Sequence, residues 1–197
     1  MIKKILLGLV AVIAILLIVA SFQPGTMVVE RSATMAAPLS AVFAVVNDFS
    51  RWNDWSPWAK LDPEMKTSLE GPTTGVGAVY KWSGNNEVGE GRTSLVESVP
   101  DQKVGMKLAF VRPFPGESDV QFTFTPEGDG TKVTWAMQSP QPFIAKLVGL
   151  FIDCEKMCGD SFLEGLANLK KVVEQPAGAS SGTPSAPGPS ARREPKG

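Results

Sequence analysis

Apolar side chains recur every three or four residues over the last long patterned segment of the chain: Phe143, Leu147, Leu150 with Phe151, Cys154, Met157 with Cys158, Phe162, Leu166, Leu169, and Val172 with Val173. That spacing puts them on one stripe of a helix and predicts a single element from Pro142 to Val173. Lys146, Asp153, Glu155, Lys156, Asp160, Glu164 and Lys170 fall mostly on the other side. Pro142 suits the first turn, where its missing N–H has no partner to lose. Gly149, Gly159 and Gly165 each cost about 1 kcal/mol relative to alanine in a helix interior, which allows a bend. A helix of this length runs about 45 Å at 1.5 Å per residue and needs one large partner surface.

The pattern upstream supplies that partner. Thr26 to Met35 has strand character, Ala36-Ala37-Pro38 ends it, and Leu39 to about Asp48 carries Val42, Phe43, Val45 and Val46 at helical spacing. From Met65 the period changes to two. Met65-Thr67-Leu69, Ala78-Tyr80-Trp82, a weaker run from Gly89 to Ser98, Val104-Met106-Leu108-Phe110, Val120-Phe122-Phe124 and Val133-Trp135-Met137 each alternate with mainly polar neighbours, and turn residues separate them. Five or six strands joined by short turns must be antiparallel, because a parallel neighbour needs a crossover of about a dozen residues or more. One apolar face per strand means a sheet covered on one side only. The expected architecture is α+β: strand, short helix, antiparallel meander, long terminal helix.

Both ends read differently. Residues 1–4 are a short basic end containing Lys3 and Lys4, and 5–22 are uncharged and almost wholly aliphatic. About 20 such residues span a bilayer core, so this run is just long enough for a transmembrane anchor. The alternative is a signal peptide, whose apolar region is usually shorter and ends at a small-x-small site; the best cut, after Ala20, has Ile18 where a small residue is wanted. Lys3 and Lys4 favour a cytoplasmic N-terminus. The expected location is a bacterial cell membrane, single-pass, with the domain facing the periplasm or exterior. Residues 175–197, rich in Pro, Gly, Ala and Ser, cannot bury enough apolar surface to fold and read as a disordered tail.

Charge and composition narrow the chemistry. Without the two ends the chain carries 14 basic and 19 acidic residues, a net of −5, with no basic stripe for phosphates, so nucleic acid is not an expected partner. There is no histidine, the commonest general base and a common metal ligand; neither a metal site nor a cofactor is expected. Cys154 and Cys158 fall four apart on one helix face. They read as buried thiols or, alternatively, as a redox or ligand-contacting pair. Trp52, Trp55 and Trp58 lie three apart, either closing one end of the core or, for at least one of them, standing at a pocket rim.

The order of elements and three stretches resemble the START/Bet v 1-like (SRPBCC) superfamily, in its polyketide cyclase/dehydrase and lipid-transport branch. The stretches are ERSATMAAPLSAVFAVVNDFSRWNDWSPW at 30–58, GVGAVYKWSGNNEVGEGRTSLVESVP at 75–100, and GDGTKVTWAM at 128–137 before a final helix ending GLANLKKVV. The likeness covers residues 26–174. It implies a helix-grip fold, a curved antiparallel β-sheet wrapped around the C-terminal α-helix, with a cavity between them for an apolar small molecule. Catalytic members tend to place His, Asp, Arg or Tyr in that cavity, a pattern this chain departs from.

The first expected function is a non-catalytic, membrane-tethered binding domain for a hydrophobic small molecule or lipid. Trp82, Met106, Phe110, Phe122, Phe124, Trp135 and Met137 face inward by strand alternation, with Tyr80 beside them, Trp55 at the rim, and Phe151, Cys154, Met157 and Phe162 opposite on the helix. Met and flat aromatics suit an adaptable apolar pocket. On this reading Phe151 to Phe162 meets the ligand, while Gly165 to Val173 holds the fold together. The alternatives are a cyclase/dehydratase-like enzyme using Tyr80 with Glu87 or Glu90, and an envelope interaction module with no small ligand, its interior filled by its own side chains.

Overall fold

The computed structural model describes residues 2–175, so the expected disordered tail lies, past Gln175, outside the described residues. Helix α1 (Ile2–Phe22) is followed by β1 (Thr26–Met35), α2 (Leu39–Val46) and the short α3 (Trp52–Trp55), which sits between 3-10 turns at Phe49–Arg51 and Pro57–Lys60. Six strands then follow: β2 (Lys66–Glu70), β3 (Val79–Ser83), β4 (Glu90–Val99), β5 (Lys103–Arg112), β6 (Gly116–Glu127) and β7 (Gly130–Pro140). Helices α4 (Phe143–Gly149) and α5 (Cys154–Glu174) close the domain. The sheet has seven strands in the order β1-β7-β6-β5-β4-β3-β2, every pair antiparallel. The meander is therefore β2 to β7, and β1 returns alongside β7, from Thr26 opposite Pro140 to Met35 opposite Thr131.

Strand alternation sends Val29, Met35, Leu95, Val104, Met106, Phe122, Phe124, Val133 and Trp135 to one face, where all are buried. The helices cover that inner face unevenly. α5 lies over β1, α2 over β5 to β7, and α3 with the following 3-10 turn packs against α5. Phe162, Leu166 and Leu169 are the buried stripe of α5. Gly165 faces the ring of Trp135 so closely that an added Cβ would sit 2.7 Å from it, so only glycine lets helix and sheet approach this far.

The single helix expected over Pro142–Val173 is two helices. α4 ends at Gly149, Leu150 to Asp153 turn the chain, and the Asp153 carboxylate caps α5 by accepting from the Lys156 N–H at 2.9 Å. α4 leaves the sheet and lies against α1, with the Lys146 ammonium donating to the Gln23 carbonyl at 2.9 Å. α1 is the one helix among the described residues long and apolar enough to cross a membrane; its Ala20 is buried.

Candidate functional site

Register places the inner-face residues in rows that cross the sheet. Towards the end of the sheet that carries α2 run Arg31, Trp135, Phe122 and Val104. Next come Val29, Met137, Val120, Met106 and Leu95. A third row holds Met27, Ser139, Ser118, Leu108, Thr93, Tyr80 and Leu69. The fourth, at the end nearest α1, holds Phe110, Gly91, Trp82 and Thr67.

The part of this face under α5 and α3 is filled. Trp135 stacks on Phe162 with ring centroids 4.1 Å apart and planes 7° from parallel, lies 4.8 Å from Phe122, and takes Trp55 and Trp58 edge-on at 5.7 and 5.9 Å. Such contacts add to the burial of large rings. The indole N–H groups of Trp55 and Trp135 are buried here with no acceptor. Phe124 belongs to a separate contact, edge-on to Phe43 of α2 at 5.7 Å. Met106 and Met137 are buried in the second row.

The part over β3 to β5 near α1 is open. Trp82 and Leu108 are only half-buried, and Phe110 keeps 37% of its surface exposed. Gly91 makes the floor possible: a Cβ there would meet the Trp82 ring at 2.6 Å, so the indole lies flat across the glycine. Phe110 then meets Trp82 edge-on at 5.6 Å, and Tyr80 stacks on its other side at 6.4 Å. The Trp82 N–H donates to the Val88 carbonyl at 3.0 Å, which fixes the ring. Beside this floor the hydroxyls of Ser118 and Ser139 bond each other at 2.7 Å, and Thr93 is buried.

Tyr80 is the titratable group of this region. Burial pushes its phenol up to about 12, against the opposing pull of hydrogen bonds to Thr67 and Asn53, the latter at 2.7 Å from Tyr80 Oη to Asn53 Oδ1. Glu87 is exposed in the β3–β4 turn. Glu90 pairs in register with Ser83, one position from the Trp82–Gly91 pair, and so lies on the outer face, where Arg112 bonds it at 2.9 Å. Tyr80, Glu87 and Glu90 are therefore not brought together.

Two helix residues expected opposite the sheet are elsewhere. Phe151 sits in the turn before α5 and is 75% exposed; Met157 is on α5 but 63% exposed. For Phe151 the cause is the break at Leu150–Asp153, which turns the apolar run out of line with α5; Met157, five residues before Phe162, stands about 140° round the helix from the buried stripe, which continues through Cys158 instead. Met157 shares a flank with Glu164 and Asn168, seven and eleven residues on. Those two face Lys60 of the 3-10 turn, and the next residues, Leu61 and Asp62, bond Asn85 of the β3–β4 turn after Trp82, so Met157 lies on the flank towards the open part of the inner face. Cys154 and Cys158 are free, half-buried thiols. Burial first, then the neighbouring Cys154 and Glu155, pushes the Cys158 thiol up, the opposite of what a reactive thiolate needs.

Sequence reading missed Ser118, Ser139, Thr93 and Arg31. The signal for the serines was there: they continue the inward phases of Val120-Phe122-Phe124 and Val133-Trp135-Met137 by one further step. Arg31 also points inward, and its guanidinium is met by Glu155 of α5 at 2.9 Å. Hollows of about 590 Å³ beside Lys66, Lys81, Glu90 and Arg92 and of about 480 Å³ beside Met35 and Lys170 are open at the surface, and neither lies between sheet and α5.

A seven-stranded antiparallel sheet holding a long C-terminal helix, with an apolar inner face, defines a helix-grip protein. The chain belongs to the polyketide cyclase/dehydrase and lipid transport family, whose pattern matches residues 26–174. Membership implies a domain for a hydrophobic ligand. A comparison with the curated proteins finds no match. Among solved structures, one from Thermobifida fusca is 24% identical over 74% of this chain and 92% of its own, with a TM-score of 0.57. The Aha1 dimer from Colwellia psychrerythraea is 16% identical over 77% and 99%, with a TM-score of 0.56. Ara h 8.0201 is 12% identical over 76% and 98%, with a TM-score of 0.52. These likenesses show the fold.

Proposed function

We propose that the chain is a membrane-tethered, non-catalytic domain that binds a hydrophobic small molecule or lipid on the open part of its inner face, with α1 as the anchor and the domain outside the cytoplasm. The observation that carries this reading is the half-exposed floor of Trp82, Leu108 and Phe110, bordered by the hydroxyls of Ser118, Ser139 and Thr93. An apolar surface with a few placed polar groups is the usual make-up of a small-molecule site. Phe122, Trp135 and Phe162 close the other, filled part of the same face. Met157 is placed to close over the ligand from α5. Tyr80, holding its proton until about pH 12, serves here as a hydrogen-bonding group, not as a base.

One observation favours a second reading, an interaction module with no small ligand: the stack of Trp135 on Phe162 already fills the space under α5. One experiment separates the two. Native mass spectrometry of the full chain, taken from membranes in mild detergent, is expected to show a bound lipid-sized mass, and the fluorescent probe N-phenylnaphthylamine is expected to bind saturably. Phe110→Glu, at an exposed position, should weaken that binding about tenfold, the loss of about 1.4 kcal/mol. No adduct, together with probe binding unchanged in Phe110→Glu, would establish the second reading.

A further inference from the structure

Six of the domain's exposed apolar side chains gather at one end. Phe143, Ile144 and Val148 project from α4, Phe151 and Ile152 from the turn after it, and Phe114 from the β5–β6 hairpin; Ile144 is 75% and Phe114 81% exposed. Register puts the hairpin at the same end of the sheet: Phe110 pairs with Gly116, Asp119 with Gln138, and Thr26, where β1 begins, with Pro140, where β7 ends. An exposed patch of this kind on a soluble surface marks a contact.

The same end carries α1. Its 21 residues run about 32 Å at 1.5 Å per residue, matching a hydrocarbon core of about 30 Å. Phe22 therefore lies at the membrane boundary. Gln23, Pro24 and Gly25 alone join it to β1, a link that reaches at most about 10 Å. Two bonds shorten the distance further: Lys146 of α4 donates to the Gln23 carbonyl, and the Gln141 N–H donates to the Gly25 carbonyl at 2.8 Å. The rim cannot stand clear of the lipid headgroups that surround the end of α1.

We propose that this rim, α4 with the turn after it and the β5–β6 hairpin, rests in the lipid–water interface of the bilayer that α1 crosses. The proposal rests on the reading of α1 as an uncleaved anchor. An amphipathic surface segment buries its apolar face about 5–10 Å into the headgroup boundary, and aromatic side chains favour that depth. The open part of the inner face, at the Trp82–Gly91–Phe110 row, is on the same end of the sheet, so the arrangement turns the mouth of the site towards the membrane.

The test uses the full chain, with Cys154→Ser and Cys158→Ser, reconstituted into vesicles of phosphatidylethanolamine and phosphatidylglycerol. A polarity-sensitive fluorophore is placed in turn through Ile15→Cys within α1, Phe114→Cys, Ile144→Cys and Phe151→Cys on the rim, and Asp129→Cys at the opposite end. Lipids brominated near the headgroup end of the acyl chains are expected to quench the three rim labels about twofold or more, as shallow interfacial burial requires, and to leave the label at 129 unchanged. Rim labels no more quenched than the one at 129, while lipids brominated deeper in the chains quench the label at 15, would overturn the seating and leave the anchor standing. Rim labels shielded from aqueous iodide but untouched by brominated lipid would overturn it in favour of a second copy of the chain. An unquenched label at 15 would overturn the anchor reading and the seating with it.

Discussion

Tyr80 connects burial to protonation at a single atom. Its ring lies between Phe49 and Trp52 on one side and Trp82 on the other, and burial raises its pKa from 10.0 to about 12. A phenol is charged when it loses its proton, so the folded chain holds the proton more tightly than the unfolded one. The stability this represents is complete below about pH 10 and is lost as pH rises through about 12. Tyr80 is the only tyrosine, so tyrosinate absorbance reads it without overlap from another. The expected midpoint is about 12 in the native chain and about 10 in denaturant, and Tyr80→Phe should remove this part of the fall in stability between those values. A native midpoint near 10 would show the ring to be solvated. The inward direction of Tyr80 was readable from alternation. Trp82 and Trp135 carry the same alternation, yet one ring lies in the open floor and the other in a filled stack. That difference depends on which helix lies over which strand, and no local pattern encodes it. Ser118 and Ser139 are equally readable in phase, but a polar residue in an apolar phase looks like a strand end.

Among the elements, α5 divides its work by flank. Leu169 is fully buried with Leu166 and Phe162, whereas Met157 faces solvent on the flank towards the open part of the inner face. Leu169→Ala removes packing that the rigid sheet cannot refill and is expected to cost about 2–5 kcal/mol of unfolding free energy. Met157→Glu should change stability by about 0.5 kcal/mol or less, as exposed positions do, yet weaken N-phenylnaphthylamine binding by placing a charge beside the apolar floor. Denaturation of the detergent-solubilised chain followed by near-UV circular dichroism, with a probe titration of each variant, gives both quantities. Equal effects of the two substitutions on both measurements would refute the division. The break before α5 shows what periodicity measures. Phe151 continues the three-and-four spacing, but spacing counts apolar residues without saying what covers them, and here the sheet does not. Gly149 followed by Asp153 was the legible stop and start signal, outweighed by the unbroken apolar count. The meander, by contrast, was legible almost throughout, since short turns between period-two runs leave one way to pair.

At the scale of the whole molecule, the antiparallel sheet, its covered face and the terminal helix all followed from pattern, whereas the gathering of Phe114, Ile144 and Phe151 at the end that carries α1 did not. Phe22, Phe114 and the Ile144–Phe151 segment are about 30 to 130 positions apart along the chain, and strand register with the bonds from Lys146 to Gln23 and from Gln141 to Gly25 brings them to one end. A site whose mouth lies against the bilayer that holds its own anchor has a kinetic consequence. On the proposed seating the ligand need not cross water: it would move from the lipid into the Trp82–Phe110 floor, and loading would follow its mole fraction in that membrane. A ligand supplied in separate vesicles must first desorb, and each buried CH₂ adds about 0.8 kcal/mol to that barrier. The five tryptophans serve as energy donors to a dansyl-labelled lipid, provided it binds. Transfer to lipid in the protein's own vesicles is expected to appear about tenfold faster or more than transfer to lipid added in a second population, because only the second route includes desorption. Ile144→Glu with Phe151→Glu should lift the rim from the interface and slow the first route while leaving the second nearly unchanged. Equal rates by both routes in the unmodified chain would mean that the site exchanges through water, with the anchor serving only to hold the domain near the membrane.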